Sequence, residues 1–324
     1  MKRHLFILIV ARLFTSYNVF GQFEEIILPS DEKQQTIITE PPTLRKGNIR
    51  AGIVSNFIMI DREFNQDGKR VYVLGTNSYA KTWSLVPGIQ YGISDRFQAS
   101  VRLPYQNIRN FTSVKTSYPA FNFDTVLTYK NRGSGIGDIE VGFRYQLITE
   151  STNRPSVTLG FYGILPTGQK NPTHIKDDLN YALATGSGCT SLSADLFFKK
   201  VSYPYSITLS ASYYYYFKGE KVMYPYENPI EFKKAGLFIS SIGVGIHLND
   251  WIALINDVNY SVFGENEYFY PITKTSDAGW VISYQPAIYF QIRKIRFFEI
   301  VEIPVAGRSY GADPFYSFSL QYIF

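Results

Sequence analysis

The sequence predicts an all-β fold: a transmembrane, antiparallel, up-and-down β-barrel of about twelve strands. Three observations carry this expectation. Apolar and polar residues alternate with period two in segments of about 9–14 residues, enough for a tilted strand to cross a bilayer. Short turns and long polar connections take turns along the chain. The chain closes on Tyr316-Ser-Phe-Ser-Leu-Gln-Tyr-Ile-Phe324, which puts Tyr316, Phe318, Leu320, Tyr322 and Phe324 on one face. Ser317, Ser319 and Gln321 share the other face with Ile323. A strand with one apolar and one wet face meets a different solvent on each side.

Lys2 and Arg3 precede an apolar run from Leu5 to Ala11, and a small residue, Gly21, stands before Gln22. A basic head, a short apolar middle and a small residue at the break make residues 1–21 a secretory signal peptide. Arg12 interrupts the run, against a membrane-spanning anchor. Loss of this segment leaves 29 basic side chains (32 less Lys2, Arg3 and Arg12) against 27 acidic ones. The mature chain is therefore near neutral, and no basic field points to nucleic acid. No later apolar run reaches the ~18 residues of a transmembrane helix. Cys189 is the single cysteine, so no internal disulfide forms, and no cysteine follows the signal to take a lipid anchor. The 26 tyrosines and 25 phenylalanines suit the aromatic girdles of a membrane barrel. Residues 22–47, with Asp31-Glu-Lys33 and Pro41-Pro42, lack periodicity and read as a periplasmic extension, with residues 48–324 forming the barrel.

Strands are expected at 49–61, 82–93, 96–107, 137–148, 156–165, 189–198, 205–217, 236–248, 251–262, 280–292, 296–305 and 316–324. The even-numbered strands up to the tenth end in short links, such as Ser94-Asp95, Asn249-Asp250 and Arg293-Lys-Ile295. The alternate connections, 62–81, 108–136, 166–188, 218–235, 263–279 and 306–315, are long and polar. Short turns on one side and long loops on the other place the turns in the periplasm. In 137–148 one face holds Ile139, Val141, Phe143, Tyr145 and Leu147 and the other Asp138, Glu140, Gly142, Arg144 and Gln146. A cation at the lipid midplane costs about 2–4 kcal/mol, so the charged face must look inward. Strands 49–61 and 251–262 alternate less cleanly, with Asn256 on the lipid side.

The same alternation turns Arg102, Asp138, Glu140, Arg144, Asp195, Asp257 and Glu302 inward, together with Tyr162, Tyr214, Tyr216 and Tyr289. These are the candidates for a lumen or solute path. Arg102, Asp138, Glu140 and Arg144 lie on neighbouring strands and are expected within reach of one another. They would line a charge-selective constriction, or else pair off and fill a narrow barrel. The aromatics would offer a path to an apolar solute, or merely fill the lumen. Gly133-Ser-Gly135-Ile-Gly137-Asp138 superficially resembles a phosphate loop, but such a loop needs a helix after it, and an alternating strand follows. An outer-membrane lipid hydrolase would need a histidine beside a nucleophile. His174 lies in a polar loop with Asp177 and Asp178, and His247 faces inward with no serine positioned nearby. No catalytic residue, metal site or cofactor is expected.

The final strand with its terminal aromatic looks like the assembly signal of bacterial outer-membrane barrels, which implies a partner in the barrel-assembly machinery as well as outer-membrane lipids. Gly135-Ile-Gly-Asp-Ile-Glu-Val-Gly-Phe-Arg-Tyr-Gln-Leu147 resembles the outer-membrane transporter family named for the meta-pathway of phenol degradation. Ala99-Ser-Val-Arg-Leu-Pro-Tyr105, Leu165-Pro-Thr-Gly168 and Ala184-Thr-Gly-Ser-Gly188 resemble its neighbouring motifs. The resemblance runs from about residue 83 to 324. It implies a Gram-negative outer-membrane barrel passing small hydrophobic or aromatic solutes, and brings no catalytic residues. The alternative is a structural or adhesive barrel with a blocked lumen whose long loops do the work.

Overall fold

The computed structural model describes residues 43–72, 78–118, 123–170, 182–222, 228–249, 251–269, 273–275, 277–292 and 294–324. The proposed signal peptide and most of the extension before the barrel lie outside them. The described residues form twelve barrel strands: β1 (Ile49–Ile60), β2 (Tyr79–Ser94), β3 (Phe97–Arg102, resuming as Tyr105–Tyr118), β4 (Phe123–Ile136, resuming as Ile139–Ile148), β5 (Ser156–Leu165) and β6 (Ser191–Ser202). They continue as β7 (Tyr205–Tyr216), β8 (Leu237–Asn249), β9 (Ile252–Phe263), β10 (Gly279–Ile292), β11 (Ile295–Arg308) and β12 (Phe315–Ile323). Each strand pairs antiparallel with its sequence neighbour, and β12 returns to β1 to close the ring.

Closure is what lets such a sheet sit in hydrocarbon, because every edge N–H and C=O finds a partner. The closing seam runs from Arg50 opposite Ile323 to Ile58 opposite Phe315. It ends with the Phe324 N–H donating to the Ile49 carbonyl at 2.8 Å. Phe318, Leu320, Tyr322 and Phe324 are exposed on the outside, whereas Ser317, Ser319 and Gln321 are buried inside.

On β2 the outward residues Trp83, Leu85, Pro87, Ile89, Tyr91 and Ile93 form an unbroken apolar ladder. Ten residue steps at about 3.3 Å, tilted by about 40°, give a band of about 25 Å, a match to hydrocarbon. Asn256 does face lipid on β9, where the Tyr284 hydroxyl donates to it. The connection expected over 108–136 is instead a long hairpin: the upper parts of β3 and β4 stay paired from Tyr105 opposite Ile136 up to Tyr118 opposite Phe123. Above the bilayer both faces of a hairpin meet water, so its strands carry little of the alternation that marks a membrane-crossing segment. The hairpin bends where β3 breaks at Leu103-Pro104 and β4 at Gly137-Asp138, with the Gly137 N–H donating to the Pro104 carbonyl at 2.7 Å.

The long-loop side carries two small sheets. One joins Arg62–Phe64, Arg70–Tyr72 and Tyr310–Gly311; the other joins Gly219–Val222, Pro229–Lys233, Glu267–Phe269 and Thr273–Thr275. Asp313 anchors the first, accepting from the backbone N–H groups of Asp61 and Arg62, each at 2.7 Å, and from the Arg62 guanidinium. Burial and the neighbouring Asp313 carboxylate push Asp61 above the usual carboxylate range, while Asp313 holds Arg62 high.

Deleting Phe324 should lower the yield of folded barrel, read by heat-modifiable gel mobility, because the seam loses its last backbone bond and an outward aromatic. At the rim, a carboxylate with a raised folded-state pKa destabilises the fold when ionised. Asp61→Asn should therefore leave the rim as resistant to protease as wild type or more so at pH 7. That advantage should fade as pH falls through the raised Asp61 pKa. Asp313→Asn should weaken the rim.

Candidate functional site: the barrel interior

All seven charged candidates face inward. Arg102 on β3 pairs with Glu140 on β4, directly opposite it, at 3.1 Å. Arg144 instead donates from Nε to the Tyr162 hydroxyl on β5 at 3.2 Å. Asp138 turns to backbone: Oδ1 accepts from Gly168 N–H at 2.8 Å and Oδ2 from Ser187 N–H at 2.6 Å. Glu302 on β11 accepts from the Ser283 hydroxyl on β10.

The Asp138 contacts draw the glycine-rich motifs into one knot. Thr167 Oγ1 accepts from Ile139 N–H at 2.9 Å, and Thr185 Oγ1 donates to the Ile136 carbonyl at 2.9 Å. Gly168 and Gly186 cross so closely that a Cβ on Gly168 would lie 2.6 Å from the Gly186 Cα. The glycines of the Gly133–Asp138 run thus belong to the wall where segment 182–187 is stitched onto β4, and a strand follows them.

At the waist, Tyr162 lies flat along the wall. A Cβ on Gly142 would sit 2.0 Å from its ring, and one on Gly160 would sit 2.7 Å from its hydroxyl. These two glycines, on β4 and β5, form the recess that the ring occupies. Nearby is a small cavity lined by Arg144, Thr158, Gly160, Asp195, Leu196, Phe197, Ser210 and Ser212. Asp195 and Arg144 flank Gly160 from opposite sides of β5. Asp257, on β9, is half-buried with its carboxylate over Gly243.

Below the waist, toward the short turns, the interior closes. Tyr289, Phe298, Ala253 and Ile255 form a buried apolar cluster, with the two rings 4.4 Å apart edge to face. Arg50, Lys199 and Arg296 are buried at the same end. Arg50 donates to Gln90 at 3.2 Å and lies within electrostatic reach of Arg144 on β4 and Tyr289 on β10. The stretch before β1 adds to this closed end. Thr43 and Leu44 are buried against the inner face, with Leu44 N–H donating to Gln98 Oε1 at 2.9 Å. Alternation alone missed this end: Arg50, Lys199 and Arg296 fall on inward positions of the strands but were not among the expected residues.

Tyr214 and Tyr216 face inward near the loops, packed with Cys189, Phe232, Leu237 and Ile239 in an apolar cluster. His247 is buried on the inner face, and its Nε2 has no hydrogen-bond partner among the described residues. His174, Asp177 and Asp178 lie outside the described residues. Among the described residues no group of three or more His, Cys, Asp or Glu side chains could hold a metal.

A closed antiparallel barrel with an apolar outer band, an aromatic-edged exterior and a polar, charged interior is an outer-membrane β-barrel. No protein-family model and no curated protein matches the sequence. Among solved structures, the fold is similar to the COG4313 outer membrane channel from Pseudomonas putida F1, with a TM-score of 0.64 and 14% identity over 87% of this chain and 97% of that one. A Pseudomonas aeruginosa FadL homologue aligns at a TM-score of 0.42 and 11% identity, covering 86% of this chain and 90% of that one. The beta domain of the Bordetella autotransporter BrkA aligns at 0.47 and 11%, covering 86% and 100%. These likenesses concern the fold alone.

Asp138→Ala should free the 182–187 segment. Losing two hydrogen bonds to a charged acceptor costs on the order of 3 kcal/mol of docking. Limited proteolysis between residues 166 and 188 should accelerate, with Asp138→Asn intermediate and the barrel strands still protected.

Proposed function

We propose that the protein is a narrow outer-membrane channel for passive uptake of small solutes, apolar or aromatic ones among them. Its export signal (1–21) would be removed and the barrel-assembly machinery would read the closing strand. The observation that carries this reading is the waist. Tyr162 is recessed over Gly142 and Gly160, and a water-sized cavity lies beside Arg144 and Asp195. One cation and one carboxylate beside the Phe197 ring would suit the polar end of a small solute with an apolar body. The resemblance to phenol meta-pathway transporters at 99–190 supports the same solute class.

The closed end beneath the waist favours a second reading, a sealed structural barrel whose loops carry the function. Both readings meet in a planar bilayer. The channel reading expects small unitary conductance from wild type and larger conductance from Arg144→Ala, which trims the narrow end. It expects smaller conductance from Gly160→Ala, whose new methyl pushes Tyr162 off the wall into the lumen. A membrane that stays sealed for wild type and Arg144→Ala alike, with both proteins folded, rejects the channel and leaves the sealed barrel.

A further inference from the structure

The outer face holds a second feature that neither reading uses. On three adjacent strands at one height, Lys81 of β2 stands directly opposite Arg109 of β3, and Arg109 directly opposite Arg132 of β4. Side chains so paired are about 5 Å apart at Cβ, and like charges in that arrangement repel. Among the described residues no carboxylate pairs with any of the three. Arg109 Nε donates to Asn107 at 3.2 Å, and Lys81 lies 5.2 Å over the Phe57 ring. Asp61, at the end of β1, is already held by Arg62 at 3.1 Å. Two lysines elsewhere on this side are matched: Lys218 meets Glu231 at 2.6 Å and Lys170 meets Glu220 at 2.8 Å.

Height decides what the row faces. One step toward the membrane lie Trp83, Asn107 and Ser134, and the step below holds Leu85, Tyr105 and Ile136. The Trp83 and Tyr105 rings, 6.5 Å apart, mark the aromatic edge of the apolar band. The cations therefore stand just outside the hydrocarbon on the long-loop side, at lipid head-group level. Asn107 and Ser134 sit between them and the acyl chains as neutral hydrogen-bonding groups. Lys130 extends the row one step outward, opposite Phe111.

From this the geometry points to a binding site for a phosphorylated glycolipid head group of the outer leaflet. Its phosphates would lie across Lys81, Arg109 and Arg132, its sugar hydroxyls against Asn107 and Ser134, and its acyl chains along the β2–β4 wall. The bound phosphates supply the negative charge that the row lacks. The site stands whether or not the lumen conducts.

The test uses purified full-length barrel in detergent, with the thermal midpoint of unfolding read by gel mobility against added lipid A. Wild type should be stabilised by bisphosphorylated lipid A, less by the monophosphorylated form, and not by inorganic phosphate at equal phosphate concentration. Each charge removed should weaken apparent affinity about fivefold, so Lys81→Gln/Arg109→Gln/Arg132→Gln should weaken it about a hundredfold. Lys218→Gln should leave it unchanged. Without lipid the triple variant should be at least as stable as wild type, since its repulsion is gone. If the triple variant does not fold, Arg109→Gln alone carries the fivefold comparison. An unchanged lipid A response in the folded variants overturns the site. An equal response to inorganic phosphate overturns the glycolipid assignment.

Discussion

Closure of the backbone hydrogen-bond ring between β1 and β12 is the constraint from which the rest follows. In hydrocarbon an unpaired N–H or C=O costs several kcal/mol, so an open sheet edge is not an available state. Closure with twelve tilted strands fixes a narrow bore that side chains partly fill, as Tyr289, Phe298, Ala253 and Ile255 do. Everything inside is then a matter of which side chains fill that bore and which are laid aside. Even the interrupted strands respect the constraint. Where β3 and β4 break, Leu103 N–H reaches the Pro87 carbonyl and Gly137 N–H the Pro104 carbonyl, so the sheet changes direction without leaving those groups unpaired.

How much of this is legible in the sequence depends on where the two faces of a strand meet different media. β7 reads cleanly because Ile207 and Leu209 face lipid while Ser206 and Ser210 face the interior. Its expected span, 205–217, differs from Tyr205–Tyr216 by one residue. The hairpin of β3 and β4 does not read as strand because Asn107, Arg109, Arg132 and Ser134 occupy its outward positions above the bilayer. The same polar residues that hide the hairpin are those that make its outer face distinctive.

The interior was legible in orientation and not in partnership. Alternation turns Asp138 inward, but it cannot show that its acceptors' donors are backbone N–H groups 30 and 49 residues away. It places Tyr162 inside without showing that Gly142 and Gly160 recess it, because the recess depends on the register of β4 against β5. Nor does it reveal the apolar packing of Tyr289 with Phe298 inside a lumen that the pattern treats as wet. A small barrel packs part of its bore as a soluble core, so the rule of a polar inside fails locally where side chains replace water.

The inward charges illustrate the difference between filling a bore and furnishing one. Arg102 and Glu140 neutralise each other across a strand pair, as a plug would have them do. Arg144 donates to a tyrosine hydroxyl and Arg50 to an amide, and Glu302 accepts from a serine, contacts that orient each charge against the wall. Arg50, Lys199 and Arg296 lie toward the short turns, Arg144 and Asp195 at the waist, and Asp138, the Arg102–Glu140 pair and Glu302 toward the loops. Cations and carboxylates therefore occur together along the barrel, Glu150 standing beside Lys200 at the short-turn end and Arg102 beside Glu140 nearer the loops.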